Sequence, residues 1–176
     1  MMTSSPFPAS TPQDTARALF GLEGKTVLVT GASSGIGRAT AQWCAAAGAR
    51  LIISGRDIPR LEATRASLAG EGHRTLPADL KDADALQQLA AGCAAEILDG
   101  AVHCAGQQGQ MPMKSVSDAL LYDTLHVNFH APVMLTRHLL ARRGFKNGAS
   151  ILFLSSIAAL TGTIGVAPYS ASKAAL

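Results

Sequence analysis

The feature that most constrains the fold is a buried-strand pattern that runs directly into a glycine-rich turn. Residues 26–30 form a continuous run of apolar and β-branched side chains, which is typical of a strand buried on both faces. Gly31 opens a turn with the spacing G-x-x-x-G-x-G, and a helical pattern over 36–47 follows, closed by Gly48. Strand, turn and helix in this order predict an open α/β sheet with a phosphate-binding turn.

The alternation of strand and helix patterns continues along the chain. Strand patterns cover 26–30, 51–54, 73–78, 97–104 and 150–154, and helical patterns cover 36–47, 57–69, 82–93, 117–143 and a segment that begins near Tyr169. Asp57, with Pro59 two residues later, is a typical helix start. Because such alternation gives right-handed crossovers, we expect an α/β, Rossmann-like, doubly wound parallel sheet. Five strands in the order 3-2-1-4-5 should carry helices on both faces.

Composition excludes several functional classes. Hydrophobic residues make up 48% of the 176 residues and charged residues 15%, which excludes a disordered chain. No apolar run approaches the roughly 20 residues that a membrane-spanning helix needs. The net charge of +3 comes from dispersed basic residues, so we expect neither a nucleic-acid nor a membrane partner.

We expect one domain over 22–176, preceded by a flexible leader rich in proline and serine over 1–21. The leader lacks the basic and apolar regions of a secretory signal. Three cysteines without a CxxC pair favour reduced thiols and a cytoplasmic location. His126 and His130 share a helix face, but no H-E-x-x-H pattern accompanies them, so we predict no metal site.

The glycine turn predicts a nucleotide-binding loop. Its first glycine permits the tight turn, and the later pair lets a pyrophosphate approach the backbone and the helix lie close to the strand. Free N–H groups at the helix start would hold the anion. The predicted loop contacts are Gly31, Ser33, Ser34, Gly35, Ile36 and Gly37. A purely structural tight turn is the alternative.

The end of the second strand indicates which dinucleotide is bound. Enzymes that use NAD place an acidic side chain near this point to bind the ribose 2′-hydroxyl. Here Gly55 offers no carboxylate, and Arg56 offers a fork of donors suited to a phosphate. We therefore favour NADP over NAD, with a solvated surface arginine as the alternative. Asp57 is assigned to helix capping.

A serine, a tyrosine and a lysine near the end of the chain suggest proton transfer. Tyr169 and Lys173 are four residues apart at a helix start, so both project from one helix face. An ammonium group nearby stabilises a phenolate, which makes tyrosine usable as a general acid or base at an alcohol or carbonyl oxygen. Ser156 follows the fifth strand, where its hydroxyl could stabilise charge on the same oxygen.

Together these motifs resemble the short-chain dehydrogenase/reductase family, and the match runs from about Leu22 to the last residue. The matching positions are the Thr-Gly-x-x-x-Gly-x-Gly turn at 30–37, Asp79 and Leu80 after the third strand, Asn128 in the long helix, Ser156, and the Tyr-x-x-x-Lys motif at 169–173. One motif departs from the family. Its Asn-Asn-Ala-Gly is His103-Cys104-Ala105-Gly106 here, and Cys104 cannot repeat the hydrogen bonds of an asparagine amide.

The resemblance implies hydride transfer between a nicotinamide cofactor and a ketone or secondary alcohol, with NADP-preferring members carrying a basic residue where Arg56 stands. Tyr169 would exchange the proton with the substrate oxygen and Ser156 would orient that oxygen. Lys173 would hold the nicotinamide ribose, and Asn128 would anchor a water. Asp79 would lie near the adenine, together with Leu80. Ala105 and Gly106 would offer a small backbone surface beside the adenosine.

The resemblance also implies a longer protein. Family members usually continue with two more strands and a substrate loop, so we expect those C-terminal strands to be absent here and the chain to be a fragment. Homo-oligomers packed through the 117–143 helix and the helix that starts at Tyr169 are a further implication. Two other hypotheses remain: a nucleotide-binding or partner-binding module without catalysis, and a non-functional remnant. The substrate, a small carbonyl or alcohol, is not identified.

Overall fold

A computed structural model describes residues 20–176 of the chain. Most of the leader predicted over 1–21 therefore lies outside the described residues. The strands are β1 (Thr26–Thr30), β2 (Arg50–Ser54), β3 (Arg74–Thr75), β4 (Leu98–His103) and β5 (Phe145–Phe153). The α-helices are α1 (Gly35–Ala46), α2 (Ile58–Ala66), α3 (Ala83–Ala94), α4 (Asp118–Leu125), α5 (Ala131–Ala141) and α6 (Ala167–Ala174).

All five strands join one parallel sheet in the order β3-β2-β1-β4-β5, which confirms the predicted topology. The first strand lies at the centre, where Val27 pairs with Leu51 of β2 and with Gly100 of β4. Because every strand runs in the same direction, the loops that follow β1, β2 and β4 meet at one edge of the sheet.

Two apolar clusters cover the two faces of the sheet, so the fold is doubly wound as expected. On one face Leu28 and Ile52 pack with buried residues of α3 and α5, such as Leu89 and Leu135. On the other face α1 and α2 pack against the alternate residues of the central strands. The continuous apolar run in β1 follows from this arrangement, since side chains of both parities are buried.

The third strand is shorter than predicted. The pattern over 73–78 indicated a strand, but only Arg74–Thr75 belongs to the sheet ladder. Pro77 is tolerated because β3 is an edge strand and the N–H position of residue 77 faces away from β2. The chain still follows β2, because the N–H groups of Leu76 and Ala78 donate to the carbonyls of Ile53 and Gly55.

The helical pattern over 117–143 corresponds to α4 and α5 joined by a π-helical segment, His126–His130. Pro132 explains the interruption, because it has no N–H to donate to the carbonyl of Asn128 four residues earlier. The fifth strand begins five residues before the predicted 150, and a register shift between Leu98 and Gly100 accommodates the extra length. Over residues 20–176, none of the helices has the length and apolarity needed to cross a bilayer.

Candidate active site

A crevice of about 320 Å³ opens at the carboxyl ends of β1, β2 and β4. Its walls include the following residues predicted to bind a nucleotide: Gly31, Ser33, Ser34, Gly35, Ile36, Gly37, Arg56, Asp79, Leu80, Ala105 and Gly106. The fold thus brings together side chains and backbone from four separate loops. Tyr169 and Lys173 do not line the crevice itself but lie beyond Gly106.

Several wall residues carried no sequence signal. Ser54, Ala78 and Gln107 line the crevice through their position at the ends of extended segments. Val127 lines the crevice from the π-helical segment. Because that segment departs from 3.6 residues per turn, the helical periodicity of the sequence does not predict which way Val127 faces. Only the tertiary arrangement assigns these residues to the crevice.

Two glycines in the turn are required by close backbone approach. Gly31 has φ +67°, and a Cβ atom there would lie 2.7 Å from the Cα of Ala105. A Cβ atom on Gly37 would lie 2.3 Å from the carbonyl oxygen of Gly31. Real Cβ atoms do not approach backbone atoms this closely, so any larger residue would force the turn and the start of α1 apart.

The start of α1 has backbone donors available for an anion. Ser34 occupies the N-cap position in an extended conformation, and its side chain makes no capping hydrogen bond. The first turn of the helix contains no acidic residue. The free N–H groups and the positive end of the helix dipole therefore face the crevice without competition from a carboxylate of the helix.

Asp57 caps α2, as predicted. Its carboxylate accepts a hydrogen bond from the N–H of Arg60 at 3.0 Å and forms an ion pair with the Arg60 guanidinium at 3.3 Å. The carboxylate is thus engaged in the first turn of its own helix. Arg56 is exposed at the crevice and also lines an adjoining open depression of about 670 Å³ with Ser33 and Ser34.

Asn128 connects three parts of the site. Its Oδ1 accepts from the N–H of Gln107 at 2.8 Å, and its Nδ2 donates to the Gln107 carbonyl at 2.9 Å. The same Nδ2 donates to the Ser172 hydroxyl at 2.9 Å, which in turn donates to the Tyr169 carbonyl at 2.7 Å. Asn128 and Ser172 are fully buried, so this chain of hydrogen bonds fixes α6 against the loop after β4.

The segment just after β5 holds both the side chain and the backbone of Lys173. The Nζ atom donates to the Leu154 carbonyl at 2.6 Å, and the Lys173 carbonyl accepts from the Ser155 hydroxyl at 2.7 Å. Burial lowers the pKa of the Lys173 ammonium below its usual value. Its Nζ lies 6.0 Å from the centre of the Tyr169 ring, and 3.7 Å from where a Cβ on Gly106 would stand.

Ser156 and Tyr169 both have hydroxyl protons available. The Ser156 oxygen accepts from the N–H of Ala158 at 3.1 Å and thereby caps the 3₁₀ turn Ile157–Ala159. Within residues 20–176 the Ser156 hydroxyl donates to no acceptor, and the Tyr169 hydroxyl makes no hydrogen bond. No hydrogen bond joins these two groups to each other, although the 3₁₀ turn packs against α6.

The His-Cys departure is accommodated inside the protein. His103 is buried, its ring stacks on Phe153 with centroids 4.8 Å apart, and its Nε2 lies 3.0 Å from the Thr136 hydroxyl. Burial lowers the pKa of His103 to about 4, so the ring is neutral near pH 7. Cys104 lies 3.8 Å from the Thr40 hydroxyl, and β4 pairs with β5 through His103. The sheet therefore continues without the asparagine amides.

His126 and His130, for which no metal site was predicted, lie side by side. The ring centroids of His126 and His130 are 4.6 Å apart. Across residues 20–176, no group of three or more His, Cys, Asp or Glu side chains is arranged to hold a metal ion.

Comparison with known proteins identifies the family. A family model for short chain dehydrogenases matches residues 25–176. A fatty acyl-CoA reductase from Acinetobacter baylyi is 33% identical over 161 residues, covering 88% of this chain and 55% of the relative. A gluconate 5-dehydrogenase from Gluconobacter oxydans is 30% identical over 166 residues, covering 90% of this chain and 63% of the relative.

Solved structures agree with the fold as well. The crystal structure of a short chain dehydrogenase from Shigella flexneri has a TM-score of 0.81 and 33% identity, and the match covers 88% of this chain and 64% of that one. The protein thus belongs to the short-chain dehydrogenase/reductase family. It spans between half and two thirds of the length of such relatives, 52% of one curated protein and 65% of another.

Proposed function

We propose that this chain binds a nicotinamide dinucleotide in the crevice and carries the catalytic groups of an NADP-dependent oxidoreductase that acts on a ketone or secondary alcohol. One observation carries the proposal: the crevice wall and the ammonium of Lys173 meet at Gly106. The Lys173 Nζ lies 3.7 Å from where a Cβ on Gly106 would stand, and a Cβ on Gly31 would lie 2.7 Å from the Cα of Ala105, the residue before that glycine. A cofactor that extends along the glycine turn would reach the tyrosine from there.

The residues fit such a cofactor. The turn that begins at Gly31 leaves backbone donors for a pyrophosphate, and at Gly35 the place of a Cβ atom is open, with nothing within 4 Å. Asp79 and Leu80 would border the adenine, with Ala105 and Gly106 beside the adenosine. When bound, the nicotinamide would supply or accept the hydride.

The proton would move at the hydroxyl of Tyr169. In reduction, this hydroxyl would give its proton to the substrate oxygen, and in oxidation it would take the proton back. Ser156 would donate its free hydroxyl hydrogen to the same oxygen, while its own oxygen is held in place by the hydrogen bond from the Ala158 N–H. Lys173 would stabilise the phenolate and keep its remaining ammonium hydrogens for the ribose. Asn128 would hold a water beside that ammonium.

Arg56 supports a preference for NADP. Its guanidinium lines the crevice together with Ser33 and Ser34, where a 2′-phosphate on the adenosine ribose would meet a cation and two hydroxyls. Asp57 follows Arg56 directly in the sequence. Its carboxylate is engaged by Arg60 and so is not available to bind a ribose 2′-hydroxyl. An NADP preference favours the reductive direction in cells.

We also propose that the protein is cytoplasmic and that two copies associate through the α4–α5 run. The free thiols of Cys44, Cys93 and Cys104 support a cytoplasmic protein. Exposed apolar side chains along the α4–α5 run, Tyr122 and Leu140, support association of two copies through this helix. Sedimentation at increasing concentration, compared with a Leu140→Lys variant, tests the assembly.

The test of the main proposal combines turnover with binding. The chain is incubated with NADPH and a panel of ketones, and the loss of NADPH absorbance is followed. Tyr169→Phe should abolish turnover while leaving the Kd for NADPH unchanged, since only the proton-carrying oxygen is removed. Turnover that survives this substitution contradicts the assigned role.

A second candidate is a nucleotide-binding module without catalysis. It is favoured by the open side of the site, where Ile157, Leu160 and Ile164 are exposed around the helix that carries Tyr169. This candidate predicts NADPH binding with no turnover of any ketone in the panel.

A further inference from the structure

Two carbonyl groups of the glycine turn are held by side chains, one from α1 and one from α2. The Arg38 Nη2 donates to the Ser33 carbonyl at 2.5 Å, and its Nε donates to the Thr64 hydroxyl at 3.2 Å. That hydroxyl lies 3.0 Å from the Ala32 carbonyl and also 3.0 Å from the carbonyl of Arg60 in its own helix. Thr64 is fully buried, so its oxygen links α1, α2 and the turn without exchange with solvent.

These contacts set the direction of two N–H groups. A trans peptide unit is planar, and its C=O and N–H point in opposite directions. Because the Ala32 carbonyl faces Thr64, the N–H of Ser33 points away from Thr64. By the same geometry the N–H of Ser34 points away from Arg38. Within residues 20–176 neither N–H donates to an acceptor, and both serines line the crevice.

The guanidinium also places a positive charge directly behind the turn. Arg38 is half-buried, so its charge is less screened than that of a fully exposed side chain. The charge lies near the start of α1, where the helix dipole is positive too. Backbone donors aimed into a crevice, with a cation behind them, form a recess that suits a diphosphate.

We propose that Arg38, together with Thr64, is a positioning residue for the cofactor pyrophosphate. It turns the peptide units that follow Ala32 and Ser33 so that their N–H groups meet the anion, and it adds charge without contacting the ligand. This inference rests on the proposed function, because it requires a dinucleotide in the crevice.

The test compares two ligands and four variants of the full chain by isothermal titration calorimetry. NADPH carries the pyrophosphate, whereas adenosine 2′-monophosphate, used as a competitor, does not. Arg38→Gln should weaken NADPH binding about tenfold, the usual effect of losing a hydrogen bond from a charged donor. It should leave the affinity for adenosine 2′-monophosphate within about twofold, since that ligand meets Arg56 and the serine hydroxyls but has no pyrophosphate to accept from the N–H groups of the turn.

Arg38→Lys keeps the charge but loses the two-pronged contact, so its affinity for NADPH should fall between those of wild type and Arg38→Gln. Thr64→Val removes the hydroxyl at constant volume and should weaken NADPH binding, whereas Thr64→Ser should restore it. Thermal unfolding of each variant reports its fold. If Arg38→Gln does not fold, the lysine and Thr64 variants carry the test.

The outcomes separate the two claims. A wild-type chain that binds neither NADPH nor NADH refutes the proposed function and, with it, this inference. A wild-type chain that binds NADPH, with Arg38 and Thr64 variants that bind equally well, refutes the inference alone. An equal loss of affinity for both ligands in Arg38→Gln also overturns it, because a merely structural role would not distinguish them.

Discussion

Replacing His103 with asparagine should remove an acid sensitivity that this buried ring gives the fold. In the folded protein burial lowers the pKa of His103 from 6.5 to about 4. In the unfolded chain His103 takes up a proton as the pH falls below its ordinary pKa of 6.5. In the folded chain His103 takes up a proton only near pH 4. The contribution of His103 to the free energy of unfolding is therefore fully present above pH 6.5, and it falls as the pH is lowered from 6.5 to about 4.

The magnitude follows from the two pKa values. Their separation corresponds to about 3 kcal/mol of unfolding free energy, lost between pH 7 and pH 4. This is a large fraction of the roughly 5–15 kcal/mol that stabilises a typical domain. The environment in the structure supports the shift, because His103 is only 3% exposed and its Nδ1 has no hydrogen-bond partner within residues 20–176.

Urea unfolding at a series of pH values measures the effect. His103→Asn loses the stacking on Phe153 and so starts less stable at pH 7, but it should lose about 3 kcal/mol less than wild type on going to pH 4. His130→Asn, at an exposed position, serves as the matched control. Equal losses in wild type and His103→Asn would show that the buried ring does not titrate as argued.

Three further substitutions probe the site. Arg56→Gln should weaken NADPH binding about tenfold or more and leave NADH binding nearly unchanged, since only the former carries a 2′-phosphate; equal effects on both Kd values would contradict the assignment. Asn128→Ala should cost about 1–3 kcal/mol in urea unfolding because the fully buried Ser172 hydroxyl and the Gln107 backbone lose their hydrogen bonds, and an unchanged midpoint would argue against that clamp. Asp57→Ala should cost about 1 kcal/mol in the same assay by removing the α2 cap, whereas Asp57→Asn should retain most of it.

Local sequence signals were sufficient for the central part of the fold. The apolar run before Gly31 predicted a strand buried on both faces, and the structure places it at the centre of the sheet. Asp57 and Pro59 predicted a helix start, and the carboxylate caps that helix. In each case the signal lies within a few consecutive residues, so it can be recognised from the sequence alone.

Features that depend on distant contacts could not be predicted in the same way. The hydrogen bond between Lys173 and the Leu154 carbonyl joins α6 to the segment after β5, and no periodicity signals it. The burial of His103 depends on Thr136 and Phe153, which are 33 residues or more away in sequence. The π-helical segment was not predicted, because the apolar periodicity over 117–143 continues across it; Pro132 disfavours a regular helix there but does not indicate which side chain turns toward the site.

The most direct test of the central claim is a calorimetric titration of NADPH and NADH into the wild-type chain and into Gly31→Ala. The account predicts that the wild-type chain binds NADPH more tightly than NADH. It predicts no detectable binding to Gly31→Ala, because the added Cβ would lie 2.7 Å from the Ala105 Cα and displace the turn. A wild-type chain that binds neither nucleotide, or a Gly31→Ala variant that binds NADPH as tightly as wild type, would contradict the account.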